Sequence, residues 1–228
     1  MHPISISFVL NIITLILKIL GLTDTKSSAL FADVLNDLGD CVGLLLLLVG
    51  LRLARKRRSS IAYPFGMSRA VYVFGLISIS IVGGVLFSIA MINTLSGLSF
   101  DTPTIESGRA APKFVIPALI VNSFNLLYVA RSFLSKRHRD PAALGAFIDG
   151  VTDFIGSLFA AAAVITLIRL VDVVGGVAVS AILLVSAISL GYRYFVILIG
   201  RAPPKHELLK ILSTALSVPG VRDVNELK

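Results

Sequence analysis

Six apolar runs, about 4–22, 29–51, 70–96, 114–134, 142–168 and 172–199, leave a 228-residue chain little room for anything but membrane-crossing helices. A hydrocarbon core about 30 Å thick takes about 20 residues of helix, which is the length of these runs. A hydrophobic fraction of 56%, a charged fraction of 15% and a mean hydropathy of +0.91 lie outside the range of soluble domains. The expected fold is all-α, a six-transmembrane-helix bundle with no soluble catalytic domain left over. The first run has no basic flank before it and no small-residue cleavage site after it, so it reads as a retained helix and not as a signal peptide. Cys41 is the single cysteine, which excludes an internal disulfide framework and a cysteine zinc cluster.

The net charge of +8 could suggest nucleic acid, but its distribution argues for topology. Of the 21 Lys and Arg, six fall in 52–69, four in 131–139 and six from Arg193 onward. Lys26, Arg109, Lys113 and Arg169 fall in the alternate loops, and Lys18 lies inside the first run. Sixteen against four places both termini in the cytoplasm under the positive-inside rule. The basic run 52–58 then reads as a topology signal with attraction to anionic lipid, and not as a nucleic-acid site. The polar loop 96–113 reads as an external, solvated connector.

Against this apolar background the stretch "FADVLNDLGDCVG" (31–43) is costly, since each charge near the bilayer centre costs about 2.5–3.5 kcal/mol even on the lenient insertion scale. Segment five repeats its pattern. "NDLGDCVG" (36–43) and "DGVTDFIG" (149–156) each place a polar residue, an aspartate four later and a glycine three after that. Residues four apart share a helix face, so Asn36 with Asp40 and Asp149 with Asp153 form two pairs. Facing helices would bring four oxygen-bearing side chains together. Three potentially anionic groups in a low dielectric need a cation or protons to neutralise them, which points to an ion site.

Other polar residues in the segments have plainer readings. Asp33 and Asp37 lie on one broad face of segment two, toward its outer end, where either an access vestibule or helix capping suits them. Cys41 is rotated about 100° from Asp40 and reads as a small packing residue. Asn11, Lys18, Asn122 and Asn125 read as packing and interhelical hydrogen-bonding residues. His2, His138 and His206 read as solvated. The glycines at 83–84 and 175–176 offer surfaces for close helix packing between chains.

Four ordered motifs resemble the cation diffusion facilitators, six-helix divalent-metal transporters that usually work as homodimers and exchange metal for protons. "ADVLNDLGD" (32–40) is similar to their helix-two pattern A-D-x-x-(H/D)-x-x-x-D, and "DGVTD" (149–153) to the (H/D)-x-x-x-D of helix five. "YPFGMSR" (63–69) is similar to the helix 2–3 loop, and "GRAPPKHELLKILSTALSVPGV" (200–221) to the start of a cytoplasmic domain. The resemblance implies two parts, a transmembrane metal-transport domain over 1–200 and the beginning of a truncated cytoplasmic domain over 201–228. It implies that Asn36, Asp40, Asp149 and Asp153 are the metal ligands.

The chain departs from zinc-type members at Met67 and Val71, in the loop after helix two, and in having no histidine in the tetrad. An all-oxygen set suits Mg, Ca and Mn, whereas imidazole suits Zn, Cu, Fe and Ni. Manganese-type members are the more similar ones, so the expected cargo is Mn(II), with Zn(II), Fe(II) and Co(II) behind it. The implied protein is no enzyme and has no resident cofactor. It is a multi-pass protein of the cell (inner) membrane, in contact with lipid, a metal/proton antiporter and a homodimer that binds no nucleic acid. Two alternatives stay open: a non-transporting partner subunit of a metal transporter, and an intramembrane aspartyl protease, which also needs membrane-embedded aspartates.

Overall fold

The computed structural model describes residues 3–56, 67, 69–99, 104–106, 108–135, 141–200, 205–221 and 223–224. Each expected run is helical: α1 (Pro3–Leu22), α2 (Ser28–Lys56), α3 (Ala70–Ser96), α4 (Ala111–Ser135), α5 (Pro141–Thr166) and α6 (Arg169–Leu198). An amphipathic α7 (Lys205–Leu216) follows, with no buried residue. No strand occurs among the described residues, only an isolated bridge between Thr104 and Ile168.

Helices α2 to α6 are long and apolar enough to cross a membrane. The described apolar part of α1, Val9–Leu22, is shorter, so the length criterion gives five spans where the sequence suggested six. Lipid accounts for the outward surface: Val9, Ile16, Leu45, Ile92, Leu127 and Val185 are among the large apolar side chains it exposes.

Helix α2 is the axis of the molecule. It packs on α1, α3, α5 and α6, while α4 joins α1 to α5 and α3 pairs with α6. One apolar cluster joins Leu30 and Val34 of α2 to Val115 of α4 and to Ala160, Ala161 and Val164 of α5. A second joins Ala32 and Leu35 of α2 to Leu86 and Ala90 of α3 and Val179 of α6. Small residues let these backbones approach. A Cβ at Gly83 would lie 2.5 Å from Ala187 Cβ, and one at Gly176 would lie 2.6 Å from Thr94 Oγ1. The glycines expected to serve contacts between chains at 83 and 175–176 are therefore used within the chain; Gly84 alone of these four faces open space.

Two local features were not legible in advance. Helix α3 widens into a π-helical turn over Ile81–Leu86, around the Gly83–Gly84 pair. The loop after α3 is more than a solvated connector: Ile105 is buried against Ala29 and Ala163, and its N–H donates to the Leu167 carbonyl at 3.0 Å. Leu167 takes a positive φ of 56° at the turn between α5 and α6, at a cost of about 1–2 kcal/mol that this packing and hydrogen bonding must offset.

The same end of the bundle is sewn by carboxylates. Asp24 accepts from the N–H groups of Ala110 and Ala111 at 2.8 and 2.9 Å, capping α4. Asp172, at the start of α6, accepts from Ser27 Oγ at 2.6 Å and from the N–H groups of Ser28 and Ala29 at 2.9 Å each. It caps α2 from another helix, where a carboxylate also complements the positive end of the helix dipole. At the surface, Lys26 donates to Glu106, and this hydrogen bond, aided by the lysine's charge, pulls the Glu106 carboxyl below its ordinary range.

Candidate metal centre

The pairing of α2 with α5 places their polar faces together. Carboxylate oxygens of Asp40, Asp149 and Asp153 lie within 4.8 Å of one another. Asn36, one turn before Asp40, donates from Nδ2 to Asp153 Oδ1 at 3.0 Å. All four members of the expected tetrad therefore meet at one place, between α2 and α5.

Exposure falls steeply through the group. Asp149 is exposed, Asp40 half-buried, and Asn36 and Asp153 buried. Beyond them toward the sewn end of the bundle, residues 32–37 of α2 are all buried. On the side toward residues 56 and 141 the cluster holds its exposed member, Asp149, and toward the sewn end it adjoins buried residues. Asp40 Oδ2 is buried and has no hydrogen-bond partner among the described residues, an arrangement that a cation or a proton would relieve.

Behind the carboxylates lies a layer of amides. Asn11 of α1 donates to Asp153 Oδ2 at 3.4 Å, and Asn125 of α4 donates to Asn11 Oδ1 at 2.9 Å. Asn122 donates to the Asp153 carbonyl at 3.4 Å and to Ser157 Oγ at 2.7 Å. The expectation of interhelical hydrogen bonding for Asn11, Asn122 and Asn125 is met, with the further point that they converge on Asp153.

Lys18 has a more defined place than sequence gave it. Its ammonium lies 2.9 Å from Asp33 Oδ2 and 2.8 Å from Asp37 Oδ2. Asp33 and Asp37 accordingly form neither a vestibule nor a helix cap. They hold a buried ion pair, while Asp172 and Ser27 cap α2. A signal did exist: a lone lysine in an apolar run needs a charge partner, and an i, i+4 aspartate pair in the next helix is the available one. Cys41 is half-buried. Of the loop motif at 63–69 only Met67 and Arg69 are among the described residues; the rest of it lies outside them, as do His2 and His138.

The sequence matches the model of the cation efflux transmembrane domain over residues 4–199. The chain belongs to the cation efflux family. Its members are transporters of divalent cations, and the helices above form a multi-pass membrane domain of that kind. No match was found among curated proteins. The family match ends where α6 ends and does not include α7. Among the described residues, Asp40, Asp149 and Asp153 of α2 and α5 form a group of carboxylates spaced as metal ligands are.

Proposed function

We propose that this cation efflux protein exports Mn(II) in exchange for protons, binding the ion with Asn36, Asp40, Asp149 and Asp153. The observation that carries the reading is the convergence of three carboxylates within 4.8 Å, with an amide and, among the described residues, no imidazole beside them. Oxygen-only ligation suits the harder ion and withholds the nitrogen partner that zinc prefers, so Zn(II), Fe(II) and Co(II) rank behind Mn(II). On binding, Asn36 would turn its carbonyl toward the ion in place of the amide N–H it now gives Asp153. Asp40, Asp149 and Asp153 would take protons as the ion leaves, since clustered carboxylates need one neutraliser or the other.

The exposure gradient supports a direction. If the basic segments are cytoplasmic, as the charge asymmetry favours, the tetrad is open to the cytoplasm and closed outside, the state in which an exporter loads. Rocking of helices at the sewn end would then release the ion. This assignment makes α1 the sixth span and both termini cytoplasmic. Residues 1–200 are the transport domain, and 201–228, including the exposed α7, begin a cytoplasmic part. A homodimer in the cell (inner) membrane is the family's usual assembly, and Gly84 is a residue free to serve it.

The test is Mn(II) uptake into vesicles holding only the purified protein, with an imposed proton gradient. Uptake of Mn(II) above Zn(II), driven by protons, is the expected result. Absence of uptake by the protein alone would favour the partner-subunit reading, and cleavage of a transmembrane peptide would favour the protease.

A further inference from the structure

One turn beyond the tetrad, toward the sewn end, α1 sends Lys18 across to α2. Its Nζ lies 2.9 Å from Asp33 Oδ2, 2.9 Å from Asp37 Oδ1 and 2.8 Å from Asp37 Oδ2. Ser157 of α5, one turn after Asp153, donates to Asp33 Oδ2 at 3.3 Å. Lys18 is 1% exposed and Asp33 0%. Asp33 Oδ1 has no hydrogen-bond partner among the described residues; it lies against Gly156, where a Cβ would come within 2.5 Å of it.

Three carboxylate oxygens thus converge on one buried point, and a cation already sits there. Like the tetrad, the donor set is oxygen only and acidic, but both of its carboxylates come from α2, with Ser157 of α5 beside them. One ammonium against two ionised carboxylates leaves the group one positive charge short, and a divalent ion in the ammonium's place would balance it. A hard divalent ion bonds oxygen at about 2.0–2.6 Å, so the side chains would close in by less than about 1 Å. The difference is the tether, since Lys18 cannot leave.

We propose that Lys18 occupies, as a tethered cation, a second oxygen site in line with the tetrad and keeps that site closed to divalent ions. The ion entering from the exposed Asp149 side then stops at Asn36, Asp40, Asp149 and Asp153. The inference rests on the tetrad reading for the path, but its site is separate and can be measured separately. A purely structural lock between α1 and α2 would leave the number of bound ions unchanged when its charge is removed.

The experiment counts Mn(II) bound per chain of the full protein in detergent, reading free Mn(II) by electron paramagnetic resonance. Native protein should bind about one ion and Lys18→Met about two, because a neutral side chain leaves the second acidic oxygen set without a cation. Adding Asp33→Asn and Asp37→Asn to Lys18→Met should return the count to that of the native protein. A folded Lys18→Met protein, native in helicity and elution, that binds no more Mn(II) than the native chain overturns the proposal. Should Lys18→Met not fold, Lys18→Ala is purified in ethylammonium, which replaces the tethered group, and then exchanged into Mn(II). An added ion per chain supports the proposal; no added ion, or a loss of fold that Mn(II) does not prevent, overturns it. Native protein that binds none while Lys18→Met binds about one would contradict the tetrad and sustain the second site. No binding by either protein would overturn both.

Discussion

Residue identity decides selectivity at the cluster. Asp149 is its exposed member, so Asp149→His introduces imidazole with least disturbance to packing and restores the H-x-x-x-D pattern of zinc-type relatives. The ratio of Zn(II) to Mn(II) uptake into vesicles should rise by about tenfold, and Mn(II) uptake itself should fall because one carboxylate is lost. An unchanged ratio would show that ligand type at this position does not select. The amide layer acts through Asp153. Asn11→Ala and Asn125→Ala should each weaken apparent Mn(II) affinity by about 10-fold or more, as loss of groups that orient a ligand does, and kinetics at varied Mn(II) would read it as a higher KM. The tetrad was legible because its signal is local, two i, i+4 pairs in apolar runs. The partner of Asn11 was not, because it stands 142 residues away in sequence and only packing brings it near.

Among the elements, α2 owes its position to contacts at its N-terminus that come from elsewhere in the chain. Asp172 gathers Ser27 Oγ and two backbone N–H groups, all buried. Asp172→Ala should destabilise the protein by about 1–3 kcal/mol, the cost of leaving buried donors without an acceptor, and thermal unfolding in detergent would show a lower Tm. An unaltered Tm would mean that water replaces the cap. Helix positions were readable from the apolar runs to within a few residues. The π-helical turn at Ile81–Leu86 and the latch of Ile105 onto Leu167 were not, because each depends on the meeting of α3 with α6 or of a loop with two turns. A sequence pattern reports the length and face of a helix, and says little about where its carbonyls find partners outside it.

At the scale of the whole molecule, the bundle is sewn at one end and carries Asp149, the exposed member of the cluster, toward the other, and the lone cysteine can report which end faces the cytoplasm. Cys41 adjoins Asp40, on its side away from the sewn end, and is half-buried. A membrane-impermeant maleimide should label it in inverted vesicles and not in right-side-out ones, with Mn(II) slowing the reaction. Labelling only from the opposite side would reverse the proposed topology. The central claim, that the carboxylate cluster is the path of the ion, is tested most directly by Mn(II) uptake into vesicles by the native chain and by Asp153→Ala. Asp153 is the buried carboxylate on which Asn11 and Asn36 both converge, so its loss removes a ligand, a proton carrier and the anchor of the amide layer together. Native uptake with a loss of about 100-fold or more in Asp153→Ala protein that remains folded is the result expected from deleting a ligand where even supporting groups cost 10–100-fold. Undiminished Mn(II) uptake by folded Asp153→Ala would contradict it.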